Sequence, residues 1–167
     1  MPLKKPAQTG KDCPSCGSVC SDDSDFCPSC GTLFASAGRV TCSIHPRNQA
    51  VGVCVLCQEP HCETCGAKNH GRHLCAAHAG VKIEQDYALV YSSADIADAE
   101  LARAVLDSRG FKVVVRDFTP IGYVWDGAGD STLSREMLRK QAKVFVPIPD
   151  YAAALVVLNE WSTGTEA

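Results

Sequence analysis

The chain has 167 residues, of which 46% are hydrophobic and 21% charged, and its formal net charge is −3. These values are typical of ordered globular protein, and the length excludes a large enzyme domain accompanied by a second module. The N-terminus, MPLKKPAQTG, lacks the apolar stretch of a secretory signal, and no run approaches the ~20 apolar residues of a membrane span. We therefore expect a cytoplasmic protein that does not enter a membrane.

Charge and cysteine are distributed unevenly along the chain. Residues 1–80 hold seven Lys/Arg and six Asp/Glu, a balance of +1, whereas residues 81–167 hold nine and thirteen, a balance of −4. Neither half has the basic cluster on which non-specific nucleic-acid binding depends. All eleven cysteines lie between Cys13 and Cys75, mostly in CxxC pairs. In a reducing compartment such pairs are typical of metal ligands, and the odd number argues against a complete disulfide framework.

The first motif is a repeated pentapeptide, Cys-Pro-Ser-Cys-Gly, which begins at Cys13 and again at Cys27. The glycine permits a positive φ, so that backbone N–H groups can turn towards the sulfurs. Two such knuckles supply four thiolates for tetrahedral zinc, from Cys13, Cys16, Cys27 and Cys30. The repeat resembles the short zinc ribbon at the N-termini of many prokaryotic proteins, here over 11–34. Cys20, between the knuckles, is predicted to be a spare or partly buried thiol.

The second motif consists of four closely spaced ligand pairs, which predict two zinc ions. Because the pairs alternate with short gaps, we expect a cross-braced arrangement. Pairs one and three would share one ion, and pairs two and four the other. The two predicted sets are Cys42, His45, Cys62 and Cys65, and Cys54, Cys57, Cys75 and His78. The order CxxHP, CxxC, PHCxxC, LCxxH resembles the prokaryotic version of the B-box-type zinc finger, here over 40–80.

The last ligand pair has an alternative, because His70-Gly-Arg-His73 offers the HxxH ending of the eukaryotic B-box. We favour Cys75 and His78, since thiolate binds zinc well and the alternative leaves a whole CxxH pair unused. His61 is predicted to lie at the surface or behind the ligands. Each of the three zinc ions then has four protein ligands, and the sequence has neither HExxH nor a deaminase signature, so we expect no catalysis.

The cysteine-free half begins near Val81 and predicts the order β-α-β-β-α. Strands are expected at 87–91, 111–116 and 143–147, and helices at 96–109 and from Pro149 onwards. Residues 92–95 offer N-caps and Gly110 a C-terminal stop. The expected buried face of the first helix is Ala97, Leu101, Ala104, Val105 and Ser108, and that of the second is Tyr151, Leu155 and Leu158. This order is the body of an α+β, ferredoxin-like (split-βαβ) sandwich.

A family resemblance of this half is carried by LVYSSADIADAELARAVLDSRGFKVVVRD and AKVFVPIPDYAAALVVL. These segments resemble a small prokaryotic domain family described as signal-transducing, here over 85–162. The resemblance implies a regulatory role through binding of a ligand or partner. It transfers no catalytic residue, and a fold alone does not define a function.

The long glycine-rich connection at 120–132 departs from that family. It contains neither GxxxxGK[ST] nor GxGxxG, so it is not a phosphate loop by motif. We favour a loop packed over the open face of the sheet. The alternative is a platform for a ligand or partner, since long loops and aromatic residues often serve binding. Its candidate residues are Arg116, Tyr123, Trp125 and Arg135.

The sequence therefore predicts a non-catalytic adaptor or signalling protein with three zinc ions, whose zinc modules bind a protein partner. The ferredoxin-like domain would bind a ligand, a partner or a second copy of itself, and 31–41 and 79–85 are predicted hinges. The alternative is a nucleic-acid or transcription-associated zinc-ribbon protein. The basic residues of the zinc-binding half that could contact nucleic acid are limited to Lys4, Lys5, Lys11, Arg39, Arg47, Lys68 and Arg72.

Overall fold

The structure is a computed structural model that describes residues 10–116 and 141–164. The chain is α+β and forms two compact units that divide between Gly80 and Val81. Every helix in the described ranges is too short or too polar to traverse a lipid bilayer. The loop at 120–132 lies outside the described residues, as do the predicted site or basic residues Tyr123, Trp125, Arg135, Lys4 and Lys5.

The described part of the first unit, from Gly10 onwards, contains three short antiparallel hairpins. They are β1 (Gly10–Asp12) with β2 (Val19–Ser21), β3 (Gly52–Val53) with β4 (Pro60–His61), and β5 (Gly66–Asn69) with β6 (Arg72–Cys75). Single 3-10 turns cover Ala35–Ala37 and Ala76–His78. Isolated two-stranded hairpins are at best marginally stable in water, so the hairpins alone do not account for an ordered unit.

Three cysteine pairs of this unit fold into the same turn. In each, the N–H of the first cysteine donates to the carbonyl five residues later, and its own carbonyl accepts from the N–H four residues later. The residue at that fourth position has a positive φ, of 73° at Gly17, 78° at Gly31 and 60° at Gln58. Glycine takes this conformation without a Cβ penalty, whereas other residues lose roughly 1–2 kcal/mol. The knuckle at Cys54 thus forms without the glycine that marks the other two.

Backbone hydrogen bonds join the two cysteine-rich modules of this unit, the first being the predicted range 11–34 and the second the predicted range 40–80. The N–H groups of Val53 and His73 donate to the carbonyls of Gly31 and Cys30, each over 2.8 Å. Gly31 is therefore held against the second module, and the prediction of a hinge over 31–41 is wrong for its first residue.

Within 81–116 and 141–164, the second unit is a four-stranded antiparallel sheet with two helices. Its strands are β7 (Ile83–Glu84), β8 (Tyr87–Ser93), β9 (Val114–Arg116) and β10 (Ala142–Pro147), in the order β7-β8-β10-β9. Because β10 pairs antiparallel with both β8 and β9, those two strands run in the same direction. Helix α1 (Ile96–Ser108) connects them, and α2 (Tyr151–Gly164) follows β10 after a 3-10 turn at Ile148–Asp150.

Helix α1 begins and ends where its sequence signals predict. Asp95 Oδ1 accepts a hydrogen bond from Ala97 N over 2.8 Å, and Gly110 follows the C-terminus with a φ of 83°. Its predicted buried face is wrong, because the buried residues are Ala99, Ala102 and Leu106. Alanines are spread around this helix, so helical spacing alone fits more than one face.

The apolar core of the second unit lies between the helices and one face of the sheet. Small side chains at the helix surfaces allow close packing against the valines of β10. Its buried members are Ala99, Ala102, Leu106, Ala142, Val144, Val146, Ala154 and Leu158. Tyr151 is also buried, as predicted for α2.

Candidate metal centres

The structure brings Cys and His side chains into three groups of four, and within each group the ligand atoms lie within 4.8 Å of one another. We call them cluster 1 (Cys13, Cys16, Cys27, Cys30), cluster 2 (Cys42, His45, Cys62, Cys65) and cluster 3 (Cys54, Cys57, Cys75, His78). They contain the same residues as the three sets predicted from the spacing. Cluster 3 contains Cys75 and His78 rather than the alternative pair.

The distances between sulfur atoms fit those of sulfurs arranged as a tetrahedron around one metal ion. In cluster 1, Cys13 Sγ lies 3.6 Å from Cys30 Sγ, and Cys16 Sγ lies 3.6 Å from Cys27 Sγ. In cluster 3, Cys57 Sγ lies 3.9 Å from Cys75 Sγ. A disulfide requires ~2.05 Å, whereas four sulfurs at ~2.3 Å from one ion lie ~3.8 Å apart. All eleven cysteines are free, so the clusters fit three metal ions.

Both histidines of the clusters present Nδ1 to the sulfurs. His45 Nδ1 lies 3.4 Å from Cys62 Sγ and 3.9 Å from Cys42 Sγ. His78 Nδ1 lies 3.1 Å from Cys75 Sγ and 3.6 Å from Cys54 Sγ. Contacts with Cys62 and Cys42 raise the pKa of His45, whereas burial lowers the pKa of His78. Each imidazole is therefore placed to supply one nitrogen to a metal beside three sulfurs.

The thiols within a cluster titrate unequally. The hydroxyl of Thr64 lies 2.9 Å from Cys62 Sγ, and its hydrogen bond is the main reason that the pKa of Cys62 falls to about 5. The hydrogen bond with Cys42, followed by burial, raises the pKa of Cys65 to about 11. Burial raises the pKa of Cys57 to about 12. Closely packed thiolates repel one another, and a divalent cation relieves that repulsion.

Each of three cysteine thiols lies within hydrogen-bond distance of the side-chain hydroxyl of the residue two positions later. Cys16 Sγ lies 3.3 Å from Ser18 Oγ, and Cys30 Sγ lies 3.2 Å from Thr32 Oγ1. Thr64 stands in the same relation to Cys62. These hydroxyls were not predicted, although the sequence contains the signal as Cys-x-Ser/Thr. Groups that hydrogen-bond to ligands orient them and tune metal affinity.

His61 and His73 lie outside the clusters and are buried, with only 2% and 9% of their surfaces exposed. Their ring centroids are 5.5 Å apart. A Cβ at Gly66 would lie 2.3 Å from His61 Nδ1, and one at Gly52 would lie 2.1 Å from His73 Nδ1. Of the two predicted positions for His61, at the surface or behind the ligands, the surface position is therefore wrong. Gly66, close in sequence to His61, and Gly52, distant from His73, make the space for these rings.

Arg116, the one candidate of the loop platform that is described, is engaged within its own unit. Its guanidinium forms an ion pair with Glu84, lies 3.1 Å from Gln85 Oε1 and stands 5.5 Å from the centroid of the Phe145 ring. Hydrogen bonds from Lys82 and then from Arg116 lower the pKa of Glu84. These contacts link β9 to β7, the two edge strands of the sheet.

Two of the candidate basic residues for nucleic acid are also engaged. Lys11 Nζ lies 2.7 Å from Ser24 O, 3.1 Å from Asp22 O and 4.2 Å from the centroid of the Phe34 ring. Lys68 Nζ lies 2.6 Å from Ser15 Oγ. Each ammonium group thus has partners within the first unit.

No family model, curated protein or solved structure matches this chain. The two family resemblances therefore rest on the residue patterns alone. Independent of any family, the chain has three Cys/His metal-site clusters in its N-terminal half and a β/α unit in its C-terminal half.

Proposed function

We propose that this protein is a non-catalytic, zinc-binding adaptor or signalling protein of the cytoplasm. The observation that carries this proposal is that each metal cluster has four ligands of its own. Thiolate and imidazole in tetrahedral groups are typical of zinc, and a four-ligand set leaves no coordination position open for a substrate or an attacking water. The chemistry of the zinc ions is then structural, and function lies in the surfaces that they hold in place.

The architecture supports the same proposal. Cluster 1, on its two knuckles, has the form of a zinc ribbon, and clusters 2 and 3 are cross-braced as in a B-box-type finger. The strand order β8-β10-β9, with α1 as the crossover, is that of a split-βαβ or ferredoxin-like body. We assign the zinc modules to binding a protein partner, and the ferredoxin-like domain to binding a ligand, a partner or a second copy.

Charge favours a protein partner over nucleic acid. The clusters contain ten cysteines, so three divalent ions with ten thiolates add a charge of −4 to the first half, and its balance changes from +1 to −3. Lys11 and Lys68 are also engaged in intramolecular contacts. Affinity for nucleic acid depends largely on free Lys and Arg that neutralise phosphates.

The test is to recover the tagged full-length protein from its own cells, with and without nuclease, and to rebuild any complex from purified components. We expect about three zinc ions per chain by elemental analysis. We also expect a defined protein partner that survives nuclease and is lost in Cys54→Ser/Cys57→Ser. Leu101→Ala is the control, because it changes an exposed side chain of the other unit.

Two outcomes would contradict the proposal. Recovery of nucleic acid alone, with an affinity that falls steeply as salt is raised, would favour the transcription-associated alternative. Iron in place of zinc, or substoichiometric metal with the partner still bound, would show that zinc does not hold the binding surface.

A further inference from the structure

We propose that cluster 1 binds its metal in thermodynamic coupling with clusters 2 and 3, through the docking of the knuckle at Cys27 onto the second module. This coupling rests on the zinc-binding function proposed above. A ribbon and a finger that are joined only by the chain would bind their ions independently. The contacts between them point instead to one three-metal body.

The docking bonds start and end at metal ligands or their close neighbours. Cys30 belongs to cluster 1, and its carbonyl accepts from the N–H of His73, two residues before the cluster 3 ligand Cys75. The carbonyl of Gly31 accepts from the N–H of Val53, whose next residue is a cluster 3 ligand. A change in the backbone of this knuckle therefore acts directly on the backbone that positions cluster 3.

Cluster 2 is connected to cluster 3 in the same manner. The N–H of Ala76 donates to the carbonyl of Cys65 over 2.8 Å, and Gly66 is paired with Cys75 in the β5–β6 hairpin. Cys65 is a ligand of cluster 2 and Cys75 a ligand of cluster 3. The chain segment from His73 to Ala76 is thus hydrogen-bonded to a cluster 1 ligand at one end and to a cluster 2 ligand at the other, and contains the cluster 3 ligand Cys75.

The packing at Gly31 shows how closely the modules approach. A Cβ at this position would lie 2.0 Å from Val53 O and 2.8 Å from His73 Cβ. Gly17 holds the equivalent place in the other knuckle with nearly the same φ, and there a Cβ meets no atom of the described residues within 4 Å. Alanine would strain both turns equally, and only Gly31→Ala would also separate the modules.

The energetic link follows from the small core of the ribbon. Its buried cluster consists of Cys13, Cys20, Cys27 and Cys30, with Phe34 packed against them. With so little apolar surface, the knuckle at Cys27 depends on its metal to hold the conformation that presents its carbonyls. Metal in cluster 1 then favours the docked state and strengthens metal binding in clusters 2 and 3, and by linkage metal in those clusters strengthens binding in cluster 1 by the same factor.

The test is a double-mutant cycle on the full-length zinc-loaded protein, read by zinc transfer to a chromophoric chelator. Cys16→Ser removes an exposed ligand of cluster 1. We expect it to weaken zinc binding at the two remaining sites by roughly 5- to 150-fold, the usual range of coupling between sites. In a Gly31→Ala background the same substitution should have little further effect, whereas in a Gly17→Ala background the coupling should persist.

Hydrogen exchange supplies a second readout that does not depend on affinity. The amides of Val53 and His73 should exchange slowly in the loaded protein and rapidly in Cys16→Ser. The amide of Val55 donates to His73 O within the second module and serves as the control that stays protected.

The coupling is overturned if Cys16→Ser changes the two remaining affinities by less than about twofold, the usual error of additivity. It is also overturned if the Val53 and His73 amides exchange rapidly in the loaded protein, or if Gly17→Ala removes the coupling as fully as Gly31→Ala. A chain that binds no zinc at all would instead refute the proposed function.

Discussion

The two units of this chain differ in the side chains that dominate their interiors, although the first unit also buries aliphatic residues such as Leu56. In the first unit cysteines are among the most deeply buried residues, Cys27 and Cys54 among them, and the strands have two to four residues. In the second unit Leu106, Val144 and Phe145 are fully buried, and β8 and β10 have seven and six residues. We therefore expect the order of the first unit to depend mainly on bound metal, and that of the second unit on apolar burial.

Removal of metal should have the largest effect, and it should affect the two units differently. A strong chelator should unfold residues 10–80, because structural zinc contributes about 10–16 kcal/mol to folding of such modules. The second unit should stay folded, since its core contains no metal ligand among the described residues. Two-dimensional amide spectra with and without chelator measure this directly. Dispersed signals from the first unit in metal-free protein would show that this unit folds without metal and would contradict the expected difference between the units.

Leu106→Ala tests the complementary expectation, that apolar burial stabilises the second unit without affecting the metal sites. Leu106 is 0% exposed, and its truncation should destabilise the second unit by about 2–5 kcal/mol. Urea unfolding, followed by the circular dichroism of the helices, measures the loss, and elemental analysis should still find three zinc ions. Leu101→Ala on the same helix is the matched control, because that side chain is 51% exposed and should change stability by less than about 0.5 kcal/mol. Loss of zinc in Leu106→Ala would show that the units depend on each other.

Thr64→Val sharpens the account of the first unit by removing the hydroxyl that donates to Cys62. Loss of a group that supports a ligand usually weakens metal binding about 10- to 100-fold. The pKa of Cys62 should rise from about 5, so protons should compete with metal at higher pH and release on acidification should begin earlier. Zinc retention against pH measures both effects. Thr41→Val, at an exposed threonine, is the control, and an equal shift there would contradict the role of Thr64.

Gln58→Gly should have the smallest effect of these changes, and it should stabilise the protein rather than destabilise it. Gln58 has a φ of 60° in a turn that uses glycine at its two other occurrences. Removing the Cβ relieves left-handed strain of about 1–2 kcal/mol, and the added freedom of the unfolded chain offsets about 0.4–1 kcal/mol of it. We expect a small gain in thermal stability of the zinc-loaded protein. Gly17→Ala, at the equivalent position, should give a small loss, and a loss in both would mean that the turn does not govern stability here.

Several features of this fold could be predicted from local patterns. The three metal clusters contain the residues expected from CxxC and CxxH spacing, because a knuckle places two ligands at one metal over a few residues. The α+β order followed from short apolar runs and from the cap residues Asp95 and Gly110. The strand β7 was missed, because two residues carry too little alternation to be recognised.

Other features depend on contacts between residues far apart in the chain. The sequence determined which Cys and His residues form each cluster and in what order helices and strands occur, since both follow from spacing along a short segment. Only the tertiary structure decided which face of α1 is buried, that His61 and His73 pack in spaces left by Gly66 and Gly52, and that Gly31 joins the first cysteine-rich module to the second. These outcomes arise from close packing and backbone pairing across the fold, which no local window of sequence contains.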